Sequence, residues 1–166
     1  DVNLVDDNNR NIYAGFKVAA ENLIKNYSNK RAIPLFICRI FNMYGKKNEF
    51  SIVDKLIKAK KNNYKIEIYN NGLSVRDFIH VEDVVKIYLN FLKKKSRSGL
   101  YDVGTGKGLS LIQLLKKLRF PKKNIVYQKK KINEISVSIA NNKILFQKYK
   151  NIKFKKIELY LRAKDS

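Results

Sequence analysis

An α/β fold is predicted by three observations. A stripe at helical spacing, Ile12, Phe16, Ala19, Ala20, Leu23, Ile24 and Tyr27, runs into Pro34-Leu-Phe-Ile-Cys-Arg39, a short continuous apolar run. Such a run suits a strand buried on both faces of a parallel sheet. It then opens into a polar glycine turn, Ile40-Phe-Asn-Met-Tyr-Gly45, and a strand, glycine turn and helix follow again from Gly99 to Ser110. In sheets of this kind, ligands sit outside the carboxyl ends of the strands.

Each element has its own signal. Asp1–Asn11 is polar and aperiodic and reads as a loop, and the first helix is predicted over Tyr13–Asn29 with Glu21/Lys25 as an i,i+4 pair. Asn42, in the turn after the first strand, reads either as a binding residue or as a turn cap. Ser51–Asn62 is a helix with Ser51 as N-cap, and Lys65–Tyr69 is a strand closed by Asn70-Asn71-Gly72. Arg76 and Asp77 lead a short apolar run into a helix from Glu82 to about Lys95, whose first-turn acids and last-turn lysines suit its dipole. His80 reads as a helix-start residue hydrogen-bonded to backbone. Gly99–Val103 is a strand, and Ser110 with Gln113 forms a capping box. Between them, Gly104-Thr-Gly-Lys-Gly108 has neither a P-loop ending nor dinucleotide-fingerprint spacing, and reads as a strand-to-helix turn. Ile125–Tyr127 is a short strand, Glu134–Ala140 is extended, and Asn142–Tyr149 and Ile157–Ala163 are helices.

Composition narrows the class. The 166 residues are enough for one domain with a sizeable core, and no apolar run is long enough to span a membrane. The acidic start (Asp1, Asp6, Asp7) has no apolar stretch and predicts no signal peptide, which points to the cytoplasm. One cysteine and one histidine argue against a zinc site, and Cys38 reads as a small core residue. The 36 Lys+Arg against 14 Asp+Glu give a net charge of +22. The lysines are scattered through every segment and arginine is scarce, so weak attraction to anions is expected but specific nucleic-acid binding is not.

Tyr13 and Lys17 carry the chemistry. On a helix they lie one turn apart, with Cβ atoms roughly 5–6 Å from each other. An ammonium beside a phenol favours the phenolate, which can take a proton from a hydroxyl under oxidation and return it. The same Tyr-x-x-x-Lys spacing recurs at Tyr127/Lys131, Tyr149/Lys153 and Tyr160/Lys164, so the order of the segments that follow has to distinguish the first pair.

That order resembles the extended short-chain dehydrogenase/reductase family, the NAD-dependent sugar-nucleotide epimerases and dehydratases. The resemblance rests on five stretches in register: Tyr13-Ala-Gly-Phe-Lys17 with Ala20-Glu21, Arg39-Ile-Phe-Asn-Met-Tyr-Gly45, Arg76-Asp-Phe-Ile-His-Val-Glu-Asp-Val84, Tyr101-Asp-Val-Gly-Thr-Gly-Lys107 and Ala140-Asn-Asn-Lys143. It implies the C-terminal part of an NAD(P)-binding Rossmann fold plus a small α/β substrate-binding domain. The end of the Rossmann part, with the Tyr-x-x-x-Lys helix and its strand, would cover residues 1–48. The substrate domain would take most of 49–166, with about 73–98 returning to the Rossmann sheet.

The resemblance also implies roles. Tyr13 would be the acid/base, Lys17 would hold the nicotinamide ribose of NAD, and Asn42 and Arg76 would contact the diphosphate of a nucleotide-sugar substrate. Lys131 stands where the family often has a second diphosphate-binding arginine, and Glu134 where it often has a ribose-binding acid. A UDP-glucose 4-epimerase-like activity is expected, with a nucleotide-sugar 4,6-dehydratase or a non-catalytic basic domain as alternatives, and a homodimer when full length. The family's glycine-rich cofactor motif and catalytic Ser/Thr would precede Asp1, so the stretch alone is expected to neither hold NAD nor turn over substrate. Two geometric expectations follow. Tyr13 and Lys17 should face one open cleft at the carboxyl edge of a parallel sheet, and Asn42 and Arg76 should converge on a shared anion site.

Overall fold

The computed structural model describes residues 7–46, 50–93, 98–129, 135–149 and 152–165. The chain begins with α1 (Asp7–Arg31), β1 (Phe36–Ile40) and β2 (Asn42–Tyr44). It continues through α2 (Ile52–Lys61), β3 (Ile66–Ile68), β4 (Val75–His80), α3 (Val81–Lys93) and β5 (Gly99–Val103). The remainder comprises β6 (Gly108–Ser110), α4 (Leu111–Lys117), β7 (Ile125–Tyr127), β8 (Val137–Ser138), α5 (Lys143–Lys148) and α6 (Ile157–Asp165).

The strands pair mostly in parallel. β1 runs beside β5, from Phe36↔Gly99 to Ile40↔Val103, and β3 runs beside β7. β4 is the hub: its C-terminal half pairs in parallel with β2, and its first residues pair with antiparallel β6 and parallel β8. A strand has two hydrogen-bonding edges, so at Val75 and Arg76 β6 and β8 occupy opposite ones.

β2 and β4 also separate two cores. Phe78 and Tyr44 enter a cluster with Val53, Leu56, Ile68, Leu114 and Leu161. Their neighbours Ile79 and Met43 enter a second cluster, with Ile87, Phe91, Tyr101 and Leu145. Successive strand side chains point to opposite faces, so adjacent residues feed different cores. Two of the helices carry the caps predicted for them. The Ser51 hydroxyl accepts from Asp54 N–H at 3.5 Å. At Ser110 both bonds of the capping box form, with Ser110 N–H on Gln113 Oε1 at 2.9 Å and Gln113 N–H on Ser110 Oγ at 3.3 Å.

Three expectations need correction. The first helix starts at Asp7, inside the stretch expected to be a loop. The residues before Tyr13 have no apolar period, but none is a proline or glycine, and a nucleated helix gains one backbone bond for each residue it adds. Asn42, expected in a turn, lies in β2 opposite Phe78 of β4. Three residues are too few to show a strand period, and only the long-range pairing makes them one. β1, expected to be buried on both faces, is half-buried at Phe36, Ile37 and Cys38 and exposed at Arg39 and Ile40. Its one strand neighbour among the described elements is β5. The apolar stripe of α1 is likewise open, with Phe16 and Leu23 each 72% exposed.

Candidate active site

Helix α1 is fixed to the sheet by charge. Arg39, at the end of β1, donates from Nε and Nη2 to the two carboxylate oxygens of Glu21, at 2.9 and 2.8 Å. Lys25 lies 3.8 Å from the same carboxylate. The Arg39 guanidinium holds the Glu21 carboxyl below its usual range, and Glu21 in turn raises Arg39. A bidentate fork of this kind fixes orientation as well as charge. Tyr13, Lys17 and Glu21 follow one another at i, i+4 and i+8 and form one ridge along α1. At about 1.5 Å per residue, Tyr13 stands roughly 12 Å along the axis from the clamp.

Tyr13 is 64% exposed, and Lys17 Nζ lies over its ring, 5.4 Å from the centroid. The pair therefore comes together as the spacing predicts. It does not line the open cavity of about 390 Å³ that lies beside the clamp. That cavity is lined by Arg39, Ile40, Phe41, Asn42 and Ser138, and begins where β1 ends. Arg39 belongs to both the clamp and the cavity wall, so it links the Tyr13 ridge to the opening.

Asn42 and Arg76 lie on paired strands. Asn42 lines the cavity, and its Nδ2 donates to Asp77 O at 3.1 Å, the carbonyl next to Arg76. Arg76 is half-buried, donates from Nη1 to Val75 O at 2.9 Å, and stands in register with Ser138, which also lines the cavity. The fold thus gathers Asn42, the backbone of Arg76–Asp77 and Ser138 at one place. Lys131 and Glu134 lie outside the described residues.

The glycine loop has another task. Thr105 N–H and Gly106 N–H donate to the Asp77 carboxylate at 3.0 and 2.8 Å, and Thr105 Oγ1 donates to it at 2.6 Å. Lys107 N–H is taken by Thr105 Oγ1 at 3.2 Å. Loop amides that could cradle a phosphate are spent on an internal carboxylate instead. A Cβ on Gly104 would stand 2.5 Å from Asp77 Oδ2, so only glycine lets the loop close this far. Sequence reasoning missed Asp77; its one signal was a pair of adjacent loop amides in need of an anion. For NAD, the exposed Tyr13–Lys17 pair offers a hydroxyl and an ammonium of the kind that can bond ribose hydroxyls. The Gly104–Gly108 loop offers a pyrophosphate no free amide at Thr105, Gly106 or Lys107. His80 is buried, and its Nδ1 accepts from Glu82 N–H at 3.2 Å, a helix-start role. Among the described residues, no cluster of three metal-ligating side chains exists, and no helix is long and apolar enough to cross a membrane.

Comparison with known proteins bears on the family and the fold. Human dTDP-D-glucose 4,6-dehydratase is 35% identical over 109 residues, which is 65% of this chain and 31% of that protein. The UDP-N-acetylglucosamine 4-epimerase of Methanobrevibacter ruminantium M1, solved with UDP-N-acetylmuramic acid, superposes with a TM-score of 0.79 at 23% identity. The match covers 92% of this chain and 52% of that one. The dTDP-glucose 4,6-dehydratase of Bacillus anthracis, solved with NAD, also gives 0.79, at 20% identity over 92% of this chain and 50% of that one. At these identities the solved structures speak for the fold, an α/β fold of the Rossmann type. The chain spans about a third of the human relative's length (31%) and about half of each solved structure. The family model described as "NAD dependent epimerase/dehydratase family" matches residues 2–104, more than half of the chain, and the chain belongs to that family.

Proposed function

We propose that this chain supplies the catalytic helix and part of the substrate site of an enzyme that oxidises a nucleotide-sugar hydroxyl transiently. The observation that carries this reading is the Tyr13–Lys17 pair on a helix whose Glu21 clamps Arg39 at the mouth of a cavity lined by Asn42. Tyr13 takes the proton of the sugar hydroxyl and gives one back at the end. Lys17 favours the phenolate and holds the ribose of the cofactor. NAD, when bound, supplies the hydride acceptor and donor. Asn42 and Arg76 hold the diphosphate, with Arg76 contributing charge and donors. Lys131 and Glu134 extend the same binding role to the second phosphate and the ribose.

Two outcomes share that first step. The Arg76–Val81 and Val103–Lys107 stretches favour 4-epimerisation. The 35% identity to the human enzyme favours 4,6-dehydration, and as the higher sequence identity it weighs more. The test is to incubate the protein, expressed from its complete coding sequence, with dTDP-glucose and with UDP-glucose. A product that has lost one water supports the dehydratase, and an isomeric product supports the epimerase. No product from either sugar, with no nucleotide-sugar binding, would overturn the reading.

A further inference from the structure

Asp77 is fully buried, yet it sits one residue from the expected diphosphate ligand Arg76. Strand alternation sends the two side chains to opposite faces of β4. On its face, the Asp77 carboxylate collects four donors from two distant segments. Thr105 N–H and Oγ1–H reach Oδ1, and Gly106 N–H and Ala140 N–H reach Oδ2, the last at 3.2 Å. The second segment is tied to the first as well, because Asn142 Nδ2 donates to Gly104 O at 3.3 Å. Residues 138–142 are therefore held against the 104–107 loop around a single carboxylate.

The consequence lies at the cavity. Ser138 begins the held segment and lines the cavity together with Asn42, while Asn42 is itself anchored on the Asp77 carbonyl. One aspartate thus fixes both residues, one through its side chain and the other through its backbone. A buried carboxylate holds such segments firmly because any donor that leaves uncovers a desolvated charge.

We propose that Asp77 is a positioning residue for nucleotide-sugar binding: its carboxylate holds residues 138–142 so that Ser138 and Asn42 face one cavity. The ligand in this proposal rests on the function proposed above, whereas the holding rests on the geometry alone. The test uses the protein from its complete coding sequence and the variants Asp77→Asn, Thr105→Val and Thr105→Ser. Asp77→Asn keeps the shape but turns one acceptor into a donor facing other donors. Thr105→Val removes only the hydroxyl bond, and Thr105→Ser restores it.

Amide exchange at Gly106 and Ala140 is expected to rise at least roughly tenfold in Asp77→Asn, by several-fold in Thr105→Val, and not at all in Thr105→Ser. In parallel, KM for the nucleotide sugar should rise roughly tenfold in Asp77→Asn with kcat within about twofold of the parent. Unchanged exchange would overturn the holding role. Faster exchange with an unchanged KM would overturn the positioning role and leave Asp77 a residue of the fold only. If Asp77→Asn does not fold, the Thr105→Val and Thr105→Ser pair decides by the same two readouts. A parent protein that binds no nucleotide sugar overturns the proposed function and the ligand named here, and exchange still decides the holding.

Discussion

His80 is buried between two tyrosine rings, with centroids 5.2 Å from Tyr44 and 5.5 Å from Tyr160. Burial first, then the Lys155 ammonium and more weakly Lys86, hold the imidazole below its usual value near 6.5, against the opposing pull of Glu82 and Asp83. The neutral ring accepts the Glu82 N–H at Nδ1, and a proton there would remove that acceptor. The sign follows from linkage. The unfolded chain takes up the proton at a higher pH than the folded one, so stability is complete above about pH 6.5 and falls as the pH drops towards the lower folded value. His80 is the chain's one histidine, so the window between about pH 5 and 7.5 isolates it. Thermal melts should show the midpoint falling across that window, and His80→Gln should flatten the slope. A slope that survives the substitution would assign it to another group. Tyr44 offers a second check at this scale. Its hydroxyl is buried with no hydrogen-bond partner among the described residues, and burial pushes the phenol well up. Tyr44→Phe should therefore leave stability unchanged or raise it by up to about 1 kcal/mol, whereas a loss of that size would reveal a partner. The environments of His80 and Asp77 were only partly legible in the sequence. A histidine ahead of a helix announces its backbone bond, but nothing local announces that Asp77 meets amides 28, 29 and 63 positions away.

Elements with a local signature were read from the sequence nearly to the residue. β5 and β7 have the predicted bounds, and the Ser110 capping box needs only residues three apart. β2 was not read as a strand, because its three residues are ordered by β4, more than thirty positions downstream. The capping box gives a quantitative test: Ser110→Ala should cost about 1 kcal/mol by denaturant unfolding, and Ser110→Asp much less. A loss well below that would mean that solvent replaces the cap. Helix α1 presents the opposite case, since its apolar stripe was legible from helical spacing, whereas its exposure depends on what packs against it. Phe16, Leu23 and Tyr27 stand 72%, 72% and 59% exposed on a helix tied down mainly by Glu21–Arg39. Contiguous apolar surface of this kind favours association. The purified 166-residue polypeptide should bind a hydrophobic dye and self-associate on a sizing column, and the pair of changes Phe16→Glu and Leu23→Glu should reduce both. A monomer that binds no dye would show that the stripe is covered.

For the molecule as a whole, the net charge of +22 sets the background against which binding must be judged. Anions will adhere weakly at low salt, so any affinity for a nucleotide sugar has to persist at physiological ionic strength to count as site binding. The wall formed by β2 and β4 between two cores carries Asn42, Arg76 and Asp77 on its strands. The α/β architecture was legible because alternating helices and short apolar runs admit few other folds. The division of labour inside it was not, because the glycine loop is spent on a carboxylate that only the tertiary structure brings to it. The central claim is that Tyr13 moves the proton when a nucleotide-sugar hydroxyl is oxidised. The most direct measurement is rapid-mixing absorbance of reduced nicotinamide, with the protein expressed from its complete coding sequence, NAD-loaded and mixed with nucleotide sugar, as parent and as Tyr13→Phe. The expected result is a transient in the parent whose rate falls by roughly 10²–10⁴-fold in Tyr13→Phe, with nucleotide-sugar affinity unchanged. An equal transient in both proteins would contradict the assignment of Tyr13.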